Sequence, residues 1–218
     1  KYEILYNIPE NYLDEMYTVF RLFTALQTIL SGFWNRVVDN KYSDKEFITF
    51  DHKRVDILTQ IINHIDRNQK IVIWAKYQHD IKQIKEKLLQ EFTNDKIAEF
   101  HGKLSEKSRN KEVLSFRENA RFFLATPSSG GHGLTLTESH YCIFYNNGFK
   151  YSERIQAEDR LMRISQNTNV TYMDIICSNS IDERINKALY AKENVLESFK
   201  SELEKVKKEG LKERLMQL

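Results

Sequence analysis

The stretch QAEDRLMR carries three side chains that could bind a phosphate together. Gln156, Arg160 and Arg163 are spaced by four and three residues, so they share one face if the stretch is an α-helix. A guanidinium group is planar and permanently charged, and its fork can meet two phosphate oxygens at once. The alternative is a solvated helix face on which Asp159 pairs with Arg163, a contact worth about 0.3 kcal/mol. The residue types alone favour this alternative.

A glycine-rich loop is the second candidate. The stretch SSGGHGLTL, residues 128–136, holds three of the seven glycines within four positions. Glycine permits positive φ and close backbone approach, so successive amide N–H groups can converge on a phosphate or on a nucleic-acid backbone. The alternative is a flexible turn. No Lys-Ser or Lys-Thr follows the glycines and GxSxG is absent, so this is neither a Walker A loop nor a nucleophile elbow.

Short apolar runs alternate with helical patterns from Lys70 onward. Runs rich in Ile, Val and Phe, separated by helices, predict an α/β fold with a parallel sheet and helices on both faces. The predicted strands are residues 70–75, 97–102, 121–126, 141–146 and 170–177, and the predicted helices are 81–92, 105–116 and 152–164. Ligands of such folds bind beyond the carboxyl ends of the strands. The glycine loop and the start of helix 152–164 each follow a strand, so we expect both at one edge of the sheet, which favours phosphate binding.

Helical segments flank this alternating pattern. Apolar residues over 13–30 recur at spacings of three and four, which predicts a helix that Gly32 ends. The polar residues 40–47 are interpreted as a connection, and a further helix over 51–65 has Asp51 as its predicted cap. The predicted organisation is a helical extension at 1–50, an α/β domain at 51–184 and one long carboxyl-terminal helix at 185–218.

The composition places few limits on partners. The 218 residues are 41% hydrophobic and 29% charged, and 33 Lys and Arg against 31 Asp and Glu give a net charge of +2. This balance by itself argues for no nucleic-acid, membrane or acidic partner. Cys142 and Cys177 lie in apolar runs, which predicts two buried thiols in a reducing compartment. The six histidines lack metal-ligand spacing, which predicts no metal site, and no apolar run is long enough to span a membrane.

Four stretches resemble the second RecA-like lobe of the Swi/Snf-related translocases of helicase superfamily 2. KIVIWAKY resembles motif IV, ATPSSGGHGLTLT resembles motif V and QAEDRLMRISQ resembles motif VI. FHGKLSEKSRNKEVLSF resembles the segment in which a strand ends in His-Gly and the next helix carries an Arg, here Arg109. The stretch YNNGFKYSERIQAEDR is more similar to the phage and bacterial members. The resemblance covers most of residues 20–185 and implies that the 51–184 domain is a RecA-like helicase lobe.

The resemblance implies a role for each matching residue. Arg160 and Arg163 would be arginine fingers for the γ-phosphate of ATP, and Gln156 would position the nucleotide or its attacking water. Gly131 and Gly133 of motif V, together with Asp159 of motif VI, would face the ATP cleft. Contacts to nucleic acid would come from Gly102, Arg109, Thr126, Ser128, Ser129, Gly130 and His132.

The resemblance also implies what lies outside this sequence. There is no GxxxxGK[ST] loop and no DEAH-like acidic strand end here. ATP and Mg²⁺ would therefore be bound mainly by an N-terminal RecA-like lobe of the same parent chain, and this part alone would be inactive. The first residue, Lys1, likewise suggests a piece of a longer protein. The implied partner is nucleic acid, with double-stranded DNA expected, in the cytoplasm of a bacterial or phage-infected cell.

Several residues depart from the family pattern. Pro127 and Ser128 stand where the family has Thr and then Lys or Arg, which removes one cation from the loop. Phe149 replaces a Trp and is a candidate for stacking on a base, whereas Trp74 inside an apolar run is predicted to be core. Two alternatives stay open: a RecA-like module that binds nucleic acid or protein without hydrolysing ATP, and the motor lobe of a restriction-type enzyme.

Overall fold

Two units make up the chain, one of residues 1–52 with 177–218 and the other of residues 53–176. The structure, a computed structural model, describes residues 15–37, 45–129, 134–162 and 169–192. The helices are α1 (Glu15–Leu30), α2 (Arg54–Asn63), α3 (Gln78–Glu91), α4 (Glu106–Glu118), α5 (Tyr151–Glu158) and α6 (Ile181–Tyr190). The strands are β1 (Phe33–Val37), β2 (Lys45–Thr49), β3 (Ile71–Trp74), β4 (Ile97–Phe100), β5 (Phe122–Ala125), β6 (Tyr141–Phe144) and β7 (Thr171–Asp174).

A parallel sheet in the order β4, β5, β3, β6, β7 forms the centre of unit 53–176. Successive strand residues point to opposite faces. Ile71 and Ile73 of β3 pack with α2 and α3, whereas Val72 and Trp74 pack with α4 and α5. The predicted α/β fold with helices on both faces is therefore confirmed. Trp74 is fully buried, which confirms that it belongs to the core.

The helices of this unit follow from apolar spacing and capping. Ile81, Ile84 and Leu88 are the buried apolar residues of α3 and recur at helical spacing, so one stripe of α3 faces the sheet. At the start of α4, the Ser105 Oγ accepts a hydrogen bond from the Ser108 N–H at 3.2 Å. This bond satisfies a backbone donor that the first helical turn leaves without a partner.

Two predictions in the amino-terminal part are wrong. Three of the eight residues of the expected connection at 40–47 are strand, because residues 45–47 belong to β2, which pairs antiparallel with β1. The Phe33 and Phe47 rings stack with centroids 5.6 Å apart, a cross-strand contact of the kind that stabilises a two-stranded sheet. Residues 40–44 lie outside the described residues. Asp51 is not the cap of α2, because the helix begins only at Arg54 and the cap position is occupied by Lys53.

Gly32 ends α1 as predicted, in a backbone conformation that other residues adopt at a cost. Its φ is +77°, and a Cβ on this residue would lie 2.0 Å from Cδ2 of His52. We expect Gly32→Ala to lower the free energy of unfolding by about 2 kcal/mol, since left-handed backbone costs an L-residue about 1–2 kcal/mol and the clash adds to it. Denaturant unfolding of the chain measures this. Gly102→Ala is the matched control, because a Cβ there meets nothing within 4 Å, and equal losses in both variants would contradict the prediction.

The carboxyl-terminal segment differs from the predicted long helix. In its own unit α6 packs against α1 and ends at Tyr190, and Lys192 follows with a φ of 57°. A left-handed residue at this position stops a helix. Residues 193–218 lie outside the described residues, and the proposed domain boundaries stay predictions. Where the structure describes the chain, no helix is long and apolar enough to cross a bilayer.

The two cysteines differ in exposure. Cys142 in β6 is buried, as predicted. Cys177 is exposed, so its predicted burial is wrong. The reason is that β7 already ends at Asp174, which leaves Cys177 in the segment before α6, where its N–H donates to Oδ2 of Asp182 at 3.2 Å.

Candidate functional site

A cleft lies at the carboxyl edge of the sheet, beyond the ends of β3, β5 and β6. It is lined by the segments that follow these strands and by the first turn of α5. The lining residues are Lys76, Pro127, Ser128, Phe144, Asn147, Gly148, Lys150, Glu153 and Arg154. Parallel strands end at one edge, so the first residues of the glycine loop and the start of α5 meet here, as the sequence predicts.

The entrance to the glycine loop is held by hydroxyl groups. Thr126 is buried, and its Oγ1 lies 2.6 Å from Oγ of Ser129. The Ser129 hydroxyl also lies within donating distance of the Phe100 and Thr126 carbonyl oxygens, at 3.1 and 2.9 Å. Ser128 between them is exposed and lines the cleft. The turn therefore directs the Thr126 and Ser129 side chains inward and leaves Ser128 outward.

The exit of the loop is tied to the segment that follows α5. The Leu136 N–H donates to the carbonyl oxygen of Arg160 at 2.8 Å. Leu134 and Leu136 are buried in the same apolar cluster as Ala157 and Leu161. Gly130, Gly131, His132 and Gly133 between entrance and exit lie outside the described residues.

The helix predicted over the arginine stretch is shorter than expected, so it does not hold Gln156 and Arg160 on one helix face. α5 ends at Glu158, so Gln156 lies on the helix while Asp159 and Arg160 lie beyond its end. The Arg160 N–H donates to Ala157 O, only three residues back, and the Arg160 carbonyl is taken by Leu136. A bond to a residue three positions back forms a tightened turn, so the α-helix does not continue through Arg160. Arg163 lies outside the described residues.

The exposure of these residues also differs. Gln156 and Asp159 are exposed, whereas Arg160 is half-buried.

Gly102 and Arg109 follow β4, next to the loop entrance but outside the lining of the cleft. The carbonyl oxygen of Phe100 at the end of β4 accepts a hydrogen bond from the Thr126 N–H at 3.2 Å, which connects the end of β4 to the entrance of the glycine loop. Gly102 is exposed, and the Arg109 guanidinium lies 5.6 Å from the centroid of the Phe100 ring.

Arg154 is the main feature that the sequence analysis missed. Its guanidinium pairs with both carboxylate oxygens of Asp174, donates to Glu158 Oε1 at 2.5 Å and to Asn147 Oδ1 at 2.9 Å, and lies over the Phe144 ring. These ion pairs raise the pKa of Arg154 against the opposing effect of its burial. Two carboxylates neutralise this guanidinium, so Arg154 fixes the cleft wall instead of offering charge to a ligand. The sequence did contain a signal for this cluster: polar residues, Asn147 and Asp174, come directly after the apolar runs YCIFYN and VTYM.

Lys76 supplies a second cation that the sequence analysis did not single out. Burial lowers the pKa of Lys76 to about 8, and Glu153 and Asp80 partly oppose this shift. Its Nζ lies 3.8 Å from the centroid of the Phe149 ring. Phe149 itself is buried, so its surroundings favour a packing role over stacking on a base.

The described residues do not fit a metal ion. Among them, no group of three or more His, Cys, Asp or Glu side chains is placed to hold one.

Comparison with known proteins identifies the relatives of this chain. The family model described as "Helicase conserved C-terminal domain" matches residues 53–165. The chain is 27% identical over 164 residues to the ATP-dependent helicase fft1 of Schizosaccharomyces pombe and 26% identical over 160 residues to the DNA repair protein RAD5 of Saccharomyces cerevisiae. These alignments cover 73% and 71% of this chain but 17% and 14% of the relatives, so the chain spans a small part of their length.

Solved structures share the fold. The Sulfolobus solfataricus SWI2/SNF2 ATPase core in complex with dsDNA superposes with a TM-score of 0.62 at 20% identity, over 87% of this chain and 38% of that one. The C-terminal part of the Fun30 ATPase domain gives a TM-score of 0.56 at 20% identity, over 78% of this chain and 53% of that one. The RecA-like fold and the resemblance to Swi/Snf-related proteins are thereby confirmed.

Proposed function

The chain belongs to the helicase conserved C-terminal domain family, and from this premise we propose that it is the second motor lobe of a Swi/Snf-related, ATP-dependent translocase that acts on double-stranded DNA. The names of its relatives, an ATP-dependent helicase and a DNA repair protein, support the activity. The dsDNA complex of a protein with the same fold supports the partner.

The main structural support for this proposal is the hydrogen bond from Leu136 N–H to Arg160 O, at 2.8 Å. It joins the exit of the proposed DNA-contacting loop to the backbone of a proposed nucleotide-contacting arginine. A displacement of either segment therefore pulls on the other. Such a direct link is what a motor needs, because nucleotide state must be converted into movement along a strand.

Phosphoryl transfer depends mainly on positioning and on charge stabilisation. Arg160 and Arg163 serve this step as arginine fingers toward the γ-phosphate, and Gln156 orients the nucleotide or the attacking water. Gly131 and Gly133 of the glycine loop, together with Asp159 after α5, form the part of the site that faces the nucleotide.

Contacts to the DNA backbone come from the outer side of the glycine loop and the neighbouring end of β4. Thr126 and Ser129 contribute through the turn that their hydroxyl groups hold at the start of the loop. The residues in contact with DNA are Gly102, Arg109, Thr126, Ser128, Ser129, Gly130 and His132.

ATP and Mg²⁺ are held mainly by a first RecA-like lobe outside this sequence. We expect the 218-residue chain alone to show no ATP turnover, whereas the full-length protein hydrolyses ATP and is stimulated by double-stranded DNA. Steady-state phosphate release, measured with double-stranded DNA, single-stranded DNA or RNA added, tests both expectations. Turnover by the isolated chain would contradict the two-lobe site, and stimulation by RNA alone would contradict the DNA partner.

A further inference from the structure

Arg54 is a buried cation in the stripe of α2 that faces the core. It is the first residue of the helix and only 7% exposed, and it lies one turn before Leu58 and two turns before Ile62, which are both fully buried. A guanidinium removed from water costs free energy, and the helix dipole further disfavours a cation at the start of a helix. An apolar side chain would meet a packing role here, so the polar contacts are what the arginine adds.

These contacts hold the carboxyl ends of two strands. Nη1 of Arg54 donates to the carbonyl oxygen of Tyr145 at 2.7 Å and to that of Ile175 at 3.0 Å. Tyr145 is the first residue after β6, and Ile175 is the first residue after β7. The two strands are neighbours in the sheet. Because hydrogen bonds from a charged donor are stronger than those between neutral groups, this one guanidinium fixes both strand ends.

The same two strand ends carry the partners of Arg154. Ile175 directly follows Asp174, whose carboxylate pairs with the Arg154 guanidinium. Tyr145 precedes Asn147 by two residues, and Oδ1 of Asn147 accepts a hydrogen bond from Arg154 at 2.9 Å. The Asn147 amide also donates to Asp174 Oδ1 at 2.7 Å. The backbone that Arg54 fixes is therefore the backbone that presents both partners to Arg154 of α5.

The two arginines act from opposite faces of the sheet. Tyr145 belongs to the apolar cluster packed with α2 and α3, and the Arg54 guanidinium lies 5.6 Å from the centroid of its ring. Phe144, one residue earlier, belongs to the cluster packed with α4 and α5, and the Arg154 guanidinium lies 3.5 Å from its ring centroid. A shift of the strand ends on the Arg54 side is therefore passed to α5 on the other side.

We propose that Arg54 is a positioning residue that acts through Arg154 on the placement of α5. The inference rests on the proposed function, because that function gives Gln156 on α5 and Arg160 just beyond its end a nucleotide to contact. A misplacement of reacting groups by about 1 Å can lower a rate about 10²-fold. Arg54 thus contributes to turnover from the opposite face of the sheet, without contact with the nucleotide.

Arg121 provides a matched control for Arg54. It is also buried, at 6% exposure, and its guanidinium also donates to backbone carbonyl oxygens, those of Gln69 at 3.4 Å and Ile65 at 3.5 Å. These carbonyls precede β3, so they lie at the amino edge of the sheet. Arg121 pairs with Asp95 as well, so its loss should destabilise the fold at least as much as the loss of Arg54.

The kinetic test compares Arg54→Met with Arg121→Met in the full-length protein, at a temperature where circular dichroism shows each variant to be folded. Arg54→Met is expected to lower the DNA-stimulated kcat about 10- to 100-fold and to keep the KM for ATP within about threefold. Arg121→Met should keep kcat within about twofold, since it leaves the carboxyl edge unchanged. Arg54→Lys should recover most of the loss, because one ammonium group can donate to both carbonyl oxygens.

Amide hydrogen exchange of the same variants measures the positioning without any need for activity. The rate of exchange in α5 is compared with that in α4, which packs on β4 at the far edge of the sheet. Arg54→Met is expected to raise this ratio about tenfold, because α5 opens locally when its anchor is displaced. Arg121→Met should not raise it.

A folded Arg54→Met variant with normal kcat, with a loss that Arg121→Met equals, or with an unchanged exchange ratio overturns the proposal. If Arg54→Met does not fold, Arg54→Gln and Arg121→Gln take the place of the two variants, with the same outcomes. Absence of DNA-stimulated ATP hydrolysis in the unaltered protein would instead overturn the proposed function, and the exchange ratio would still decide whether Arg54 holds α5 in place.

Discussion

Arg160→Ala is expected to lower the DNA-stimulated kcat of the full-length protein about 10³-fold, which corresponds to about 4 kcal/mol of lost transition-state stabilisation. An arginine finger acts on charge that develops during phosphoryl transfer, so its loss falls on kcat. ATP affinity should stay within about threefold if, as proposed, a first lobe holds most of the nucleotide. Steady-state phosphate release and equilibrium binding of a fluorescent ATP analogue measure the two quantities.

Arg67→Ala provides the matched control for this result. Arg67 is exposed and precedes β3, at the opposite edge of the sheet from the cleft. Its removal changes the charge equally and should leave kcat unchanged. An Arg160→Ala variant with normal turnover would contradict the finger role and leave QAEDRLMR as a charged surface.

Asp174→Ala is expected to lower the free energy of unfolding by about 3 kcal/mol. The side chains of Arg154 and Asp174 are only 12% and 8% exposed. Removal of one partner from a buried pair leaves the other charge without compensation, which costs about 3–5 kcal/mol, and the remaining contact of Arg154 with Glu158 keeps the loss near the lower limit. Urea unfolding followed by circular dichroism measures the change.

Glu86→Ala is the control for the stability experiment. Glu86 pairs with Lys82 at 3.9 Å on the outer face of α3, where the two side chains are 59% and 76% exposed. Solvent screens this pair, so its loss should change the free energy of unfolding by less than about 0.5 kcal/mol. Similar losses for both variants would mean that the ion pair between Arg154 and Asp174 does not stabilise the cleft wall.

The sheet was predictable from sequence because its signal is local and repeated. Each predicted strand run contains an observed strand, and the buried residues of β3 alternate between the two faces of the sheet. The meeting of the glycine loop with the start of α5 followed from strand direction alone. By contrast, β2 has no comparable apolar run. It is a strand because it pairs with β1, and this pairing cannot be predicted from the spacing of residues in the sequence.

The details of the site depend on contacts between distant segments. The sequence periodicity of QAEDRLMR continues as if the helix did, yet α5 ends at Glu158 and the Arg160 carbonyl accepts its hydrogen bond from Leu136, outside the helix. Arg154 and Asp174 are 20 residues apart, and no sequence pattern connects the two. Neither contact can be predicted from local sequence pattern, because each depends on how distant segments of the chain meet at the same edge of the sheet.

ATP-driven displacement of a third strand from a DNA triplex tests the translocase most directly. The full-length protein is expected to displace the strand from double-stranded DNA only when ATP can be hydrolysed, and Arg163→Ala is expected to abolish displacement while DNA binding is kept. Displacement that proceeds equally with Arg163→Ala, or DNA-stimulated ATP hydrolysis without any displacement, would contradict a second motor lobe that couples ATP turnover to movement along DNA.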